Sequence, residues 1–238
     1  MVAAGRRHLP RGWSDLGRQL AIWFGFAVLY QIARGIADRN PAKAFANGKA
    51  VLDFETHLTH RLYELTFQNF VDQRHLLETL VLWTYWNSEF TVVGLAVLWV
   101  YVRRHDAFAG FRNSILLANM IGLLGYVLVP TAPPRLLGVG FVNNHRDGLV
   151  TLAANPYAAM PSLHSADALI VGVVLFCVCR SLWAKALWAV WPAWVWFAVM
   201  ATGNHFWLDC IAGIGVAIVA MLAVYSERIR RTFAAQRA

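Results

Sequence analysis

Three short polar clusters interrupt an otherwise apolar chain, and each carries a residue suited to phosphoryl chemistry. The first is Val129-Pro130-Thr131-Ala132-Pro133-Pro134-Arg135, the second Met160-Pro161-Ser162-Leu163-His164-Ser165, and the third Thr202-Gly203-Asn204-His205-Phe206-Trp207-Leu208-Asp209. His205 and Asp209 are four residues apart, so on a helix they share a face. A carboxylate so placed can accept a hydrogen bond from the imidazole and fix its tautomer, which leaves the other ring nitrogen to attack. Arg135 offers a planar fork of donors that matches phosphate oxygens. Helix starts add unpaired N–H groups and the positive end of the dipole, and both favour an anion. Ser162 is placed to cap one such start, and Thr202 or Asn204 the other. Two histidines, a carboxylate and an arginine around two helix starts make a phosphoryl-transfer site that requires no metal and no other cofactor. Each cluster alone has a plainer reading: an interfacial histidine, a buried hydrogen-bonded pair, a headgroup-anchoring arginine. Their convergence at one end of the molecule favours the functional one.

That convergence follows from the elements that carry the clusters. Of the 238 residues 58% are hydrophobic and only 14% charged, against about 25% charged in soluble domains, so the chain belongs to the membrane class. Six apolar stretches are long enough to cross a bilayer, which needs roughly 20 residues per helix: 16–37, 76–102, 112–129, 163–179, 182–201 and 205–225. The expected fold is all-α, an integral membrane bundle of six transmembrane helices in a single domain, 1–238. The first stretch is longer than the apolar core of a signal peptide and no small-residue cleavage site follows it, so it reads as an uncleaved span. The second is too long for one straight crossing, and its polar patch Asn87-Ser88-Glu89 predicts a tilted, broken or partly interfacial start.

The net charge of +8 would suggest nucleic acid in a soluble protein; the placement of the charges argues against that. With the N-terminus inside, the inner segments hold Arg6, Arg7, Arg11, Arg18, Arg103, Arg104, Arg112, Arg180, Lys185, Arg228, Arg230, Arg231 and Arg237, which is 13 of the 21 basic residues. The positive-inside rule then puts both termini in the cytoplasm and the three clusters at the extracytoplasmic ends of their helices, most simply in the plasma membrane. Val51, Phe54, Leu58, Leu62 and Leu65 recur at three and four residues and predict an amphipathic interfacial helix over about 42–70, in the first outer loop. Cys177, Cys179 and Cys210 lie in apolar runs and read as packing residues. His8, His57, His60, His75 and His105 sit in polar flanks or loops, and His145 could border the site.

The clusters resemble the signature of the type-2 phosphatidic acid phosphatase superfamily, here Pro133-Pro134-Arg135, Pro161-Ser162-Leu163-His164 and His205-Phe206-Trp207-Leu208-Asp209, in order within 130–213. Pro-Pro-Arg and Asn-His-Phe-Trp-Leu-Asp are most similar to the inositol phosphorylceramide synthase subgroup, which moves phosphoinositol between lipids. The resemblance implies His205 as a nucleophile forming a phosphohistidine, with Asp209 orienting it. His164 would protonate the leaving oxygen and then activate water or an acceptor alcohol, and Arg135 and Ser162 would hold phosphoryl oxygens. Two cations common in the family are replaced, by Leu128 and Val199, and Asn204 and the helix starts would substitute in part. This departure fits the synthase-like subgroup better than a general phosphatidate phosphatase. The implied substrate is a phospholipid or an isoprenoid or other lipid phosphate, either dephosphorylated or giving up its phospho-headgroup. Oligomeric state is left open.

Asp167, three residues past His164, is an acidic residue within a span, placed either to orient His164 or to bond a neighbouring helix; Glu89 is a similar candidate. Two other classes compete. A metal-dependent membrane hydrolase would use His164, His205 and Asp209 as ligands, but no His-Glu-x-x-His motif supports it. A non-enzymatic transporter would use Asp167 and Glu89, but no inverted repeat accompanies them.

Overall fold

The computed structural model describes residues 9–37, 40–141 and 156–235. Among them every extended element is helical, and strand-like pairing is limited to one parallel bridge, Thr131 to Ala158. In chain order these are α1 (Gly12–Ala37), α2 (Pro41–Thr59), α3 (Tyr63–Asp72), α4 (His75–Asn87), a π-helical turn (Ser88–Val92), α5 (Val93–Arg103), α6 (His105–Leu128), a 3-10 turn (Pro134–Leu136), α7 (Leu163–Val178), α8 (Leu182–Ala201) and α9 (Trp207–Ala235).

Helices lie over all six apolar stretches. α6, α8 and the Trp207–Ser226 part of α9 are long and apolar enough to cross a membrane, whereas α7 is apolar but has only 16 residues, about 24 Å at 1.5 Å per residue. Large apolar side chains point outward, among them Leu20 and Phe24 on α1, Trp183 and Leu187 on α8, and Ile218 and Leu222 on α9. An apolar exterior of this extent suits lipid rather than water. The long second stretch is interrupted where its polar patch predicted, by the π-helical turn at Ser88–Val92.

α7 is the central strut, packed by α6, α8 and α9. Ala166, Ile170 and Val171 are wholly enclosed, against Phe111 and Ile115 of α6 and Ala217 of α9. Gly172 lets α8 come close: a Cβ there would lie 2.7 Å from Pro192 Cγ.

Hydrogen bonds sort the helix ends into two groups. At one end Tyr101 at the close of α5 donates to Asp15 of α1 at 3.0 Å, Arg112 of α6 donates to Gln19 of α1, and Arg104 donates to the Val178 carbonyl that ends α7 at 3.1 Å. At the other end lie the close of α6 and the starts of α7 and α9, where Ser162 N–H donates to the Asp209 carbonyl at 3.0 Å. The three polar clusters therefore share one end of the bundle.

The first loop departs from the single helix expected over 42–70. It forms two helices, α2 and α3, broken at His60, whose φ of 56° is left-handed. Asn40 caps α2 by accepting from Lys43 N–H at 3.0 Å, and Pro41 fills the first turn, where a missing N–H costs nothing. The face that packs inward is not the apolar stripe. Phe54 and Leu58 are more than half exposed, whereas Ala44, Gly48 and Glu55 are buried. Small residues win that face because α2 lies directly on the chain leading to Arg135. Ala132 N–H donates to the Ala44 carbonyl at 2.9 Å, Asn47 Nδ2 to the Pro130 carbonyl at 2.8 Å and Lys43 Nζ to the Leu128 carbonyl at 2.9 Å. A Cβ on Gly48 would stand 2.6 Å from the Ala132 oxygen.

Candidate active site

The three clusters are stitched together by their backbones before any catalytic side chain is considered. Arg135 N–H donates to the Gly203 carbonyl at 3.0 Å, and across the Thr131–Ala158 bridge Thr131 N–H donates to the Tyr157 carbonyl and Ala159 N–H to the Thr131 carbonyl. Gly203 adopts φ +65°, and a Cβ there would meet the Phe141 ring at 2.6 Å, so only glycine fits this crossing. Gly213 of α9 lies so close to the Ser162 carbonyl that a Cβ would overlap it.

On this frame Arg135, Asn204, His205 and His164 line one pocket of about 80 Å³, together with Tyr85 and Glu89. The His164 and His205 ring centroids are 5.5 Å apart. Arg135 Nε donates to Asn204 Oδ1 at 2.8 Å, and Asn204 is itself held by donating to Thr202 Oγ1 at 2.8 Å. Burial pulls the Arg135 guanidinium below its ordinary value, yet arginine keeps its charge.

His205 Nδ1 lies 2.8 Å from the Ala159 carbonyl and 3.5 Å from Asp209 Oδ2. A carbonyl can only accept, so the proton sits on Nδ1 and the lone pair on Nε2. The main orienting partner is thus the Ala159 carbonyl, with Asp209 behind it. Asp209 Oδ2 accepts from Phe206 N–H at 2.8 Å, which makes it a cap of α9 as well as a neighbour of the imidazole.

Ser162 caps α7, accepting from Ser165 N–H at 3.3 Å, and is buried out of the pocket, whose lining does not include it. The start of α9 differs from the expected open anion site. Its first N–H groups are taken by carboxylates: Phe206 by Asp209, Trp207 by Glu64 Oε1 at 2.7 Å and Leu208 by Glu55 Oε1 at 2.8 Å. Thr202 and Asn204 bond each other and do not cap this helix. Asp167 does not orient His164. Asn119 of α6 donates to both of its carboxylate oxygens, at 2.9 and 3.0 Å. The carboxylate beside His164 is Glu89, whose Oε2 is 3.3 Å from Nε2. Among the described residues no three His, Cys, Asp or Glu side chains are arranged to hold a metal ion. His145 lies outside the described residues.

Glu55 and Glu64 are the contributors that the sequence reading missed. Both are fully buried although they come from the first loop. The signal was present, since Glu55 stands seven residues after Gly48 and so lies on the small-residue face of α2. Burial, then the neighbouring charge of Glu64, pushes Glu55 up to about 9; burial also raises Glu64. Glu55 therefore holds its proton at neutral pH. A raised carboxyl contributes stability that is complete below its ordinary value of 4.5 and lost as pH climbs towards about 9. Glu55→Gln keeps an acceptor for Leu208 N–H without the titration. The expected result is a thermal midpoint less sensitive to pH between 5 and 9 than the wild type's. Parallel melting curves for the two proteins would refute it.

Known proteins resemble the chain in sequence and in fold. A family model described as PAP2 superfamily matches residues 49–223. The phosphoinositol dihydroceramide synthase of Bacteroides thetaiotaomicron is 26% identical over 144 residues, covering 51% of this chain and 47% of that protein; the match thus spans about half the length of that curated relative. The crystal structure of Aquifex aeolicus LpxE superposes with a TM-score of 0.54 at 17% identity, over 68% of this chain and 93% of that one, a likeness of fold.

Proposed function

The chain belongs to the PAP2 superfamily, a family of lipid phosphatases and phosphotransferases, and from that premise we propose that it transfers a phospho-headgroup between lipids through a phosphohistidine on His205. The observation that carries the reading is the meeting of His164, His205 and Arg135 around one small pocket. Nε2 of His205 attacks phosphorus and the bond to the lipid oxygen breaks, with His164 giving that oxygen its proton. An acceptor hydroxyl then attacks phosphorus, His164 takes its proton, and the P–N bond breaks to restore His205. With its Nε–H on Asn204, Arg135 turns its terminal nitrogens to the phosphate oxygens. Ser162 and Asp209 act from behind, by fixing the starts of α7 and α9.

The lipid tail fits the adjoining cavity of about 500 Å³, lined by Trp23, Phe26, Val93, Val97 and Phe108 among others, which shares Tyr30, Glu89 and Phe90 with the polar pocket. Six spans, cytoplasmic termini and an extracytoplasmic site agree with the basic residues at the opposite end, such as Arg103, Arg104 and Arg112. On that topology α2 and α3 lie at the outer interface, with Phe54, Leu58 and Phe70 turned outward.

Transfer is favoured over hydrolysis by charge. Arg135 is the one arginine or lysine among the described residues lining the pocket, and Glu89 offsets the imidazolium form of His164 that gives up the proton, which leaves a single positive charge. That balance suits a monoanionic diester better than a dianionic monoester, which agrees with the phosphoinositol transfer that the name of the Bacteroides relative describes. The test is an assay of purified protein with phosphatidate and with phosphatidylinositol, each with and without a long-chain lipid alcohol. The expected result is a new phosphoinositol lipid that forms only when the alcohol is present. Turnover of phosphatidate alone would overturn transfer and leave a phosphatase.

A further inference from the structure

Resting on the phosphohistidine reading above, we propose that Glu89 is the positioning residue for the general acid: it holds His164 Nε2 at the junction of the headgroup pocket and the tail groove, beside the oxygen that leaves with the lipid.

Three observations converge on this. The first is the contact itself. Glu89 Oε2 is 3.3 Å from His164 Nε2, and both side chains are mostly shielded, at 14% exposed for His164 and 20% for Glu89. The spacing is longer than the roughly 2.7–2.9 Å of a fully formed charged hydrogen bond. It leaves room for the Nε2 proton to be shared with a second oxygen. The second is location. In any phospholipid the leaving oxygen joins the phosphate to the tail. Glu89 lines both cavities, the polar one with Arg135 and His205 and the apolar one with Trp23 and Phe26. A proton donor for that oxygen has to stand at this boundary.

The third is how the residue is delivered. Glu89 lies in the π-helical turn between α4 and α5. Such turns are rare and recur where a helix must aim a side chain at a functional site. The rest of the ring is held from the same element, stacked on Tyr85 with centroids 5.0 Å apart and planes 20° apart. Among the described residues no nearer carboxylate competes for the task. Both Asp167 oxygens are occupied by Asn119, and Asp209 belongs to His205 and α9.

A leaving-group comparison separates this role from a merely structural one. The probes are phosphatidylinositol and phosphatidate, each with the natural oxygen at the scissile glycerol position and each with sulfur in its place. A thiolate leaves without a proton, so its departure does not need the general acid. Release of diacylglycerol or its thiol is followed in a single turnover, so that only the first bond cleavage is read. Glu89→Ala is expected to slow cleavage of the oxygen substrates about 100-fold, the scale of general acid catalysis, and to slow the sulfur substrates at least ten-fold less. Glu89→Gln, whose amide oxygen still accepts from Nε2, should recover much of the loss and show the same preference in weaker form. If Glu89→Ala does not fold, the preference in Glu89→Gln decides. Equal slowing of both substrates, or none, overturns the proposal. The parent reading fails by a different sign, a wild-type enzyme that cleaves with no phosphate on His205, and the oxygen-to-sulfur ratio still reports on proton donation in that case.

Discussion

Replacing His205 with alanine is expected to abolish headgroup cleavage while the protein still folds, with a loss on the order of 10⁴-fold or more, as for nucleophiles elsewhere. At about 1.36 kcal/mol per decade that is at least about 5 kcal/mol of barrier. The expectation of folding has a structural basis. The start of α9 is held by Asp209, Glu64 and Glu55 through the N–H groups of Phe206, Trp207 and Leu208, and none of those bonds involves the imidazole. What alanine removes is the Nε2 lone pair that the Ala159 carbonyl leaves in place by claiming the Nδ1 proton. The check is a quench of wild-type enzyme with a phosphorus-labelled lipid. An acid-labile, alkali-stable label should map to His205 and be absent from His205→Ala. Turnover near wild type in purified, folded His205→Ala would end the covalent mechanism.

The clusters themselves were legible in the sequence because each is a local pattern: a histidine and an aspartate four apart, a Pro-Ser pair before a helix, an arginine after prolines. Their shared end of the bundle followed from counting apolar stretches, since alternate crossings return to the same side. The carboxyl groups that hold the start of α9 were not legible, for a physical reason. Glu55 and Glu64 lie about 150 residues from the N–H groups they cap, and a loop glutamate carries no mark of being buried until α2 is seen lying on Ala132 through Ala44 and Gly48. The apolar periodicity of Val51, Phe54 and Leu58 marked an amphipathic segment but not the face that packs inward, because in a chain surrounded by lipid the most apolar face need not be the buried one. The choice between the two readings of Asp167, and the part played by Glu89, were open for a related reason. Sequence spacing sees only neighbours on one helix, whereas Asn119 and His164 reach these carboxylates from others.

Arg135→Lys is expected to cost about 100-fold in turnover, although the charge is conserved. Arg135 does two things at once. Its Nε–H bonds Asn204 at 2.8 Å, which joins the first cluster to the third, and its terminal nitrogens are the donors that the proposed mechanism gives to the phosphate. A lysine ammonium is a point charge whose three donors share one nitrogen, so it cannot reach Asn204 and fork onto the phosphate together. It either leaves Asn204 Oδ1 without its partner or leaves the phosphate oxygens with one contact in place of a fork. The companion Asn204→Ala separates the two jobs. It keeps the guanidinium but removes its tether, so it should weaken turnover by about ten-fold and leave the charge of the pocket intact. Measured side by side, the lysine variant should be the more damaged, and neither should lose the His205-linked label entirely, since the nucleophile is untouched. If Arg135→Lys turns over as the wild type does, the fork is not what grips the transferring group, and the assignment of this arginine to the phosphate is wrong.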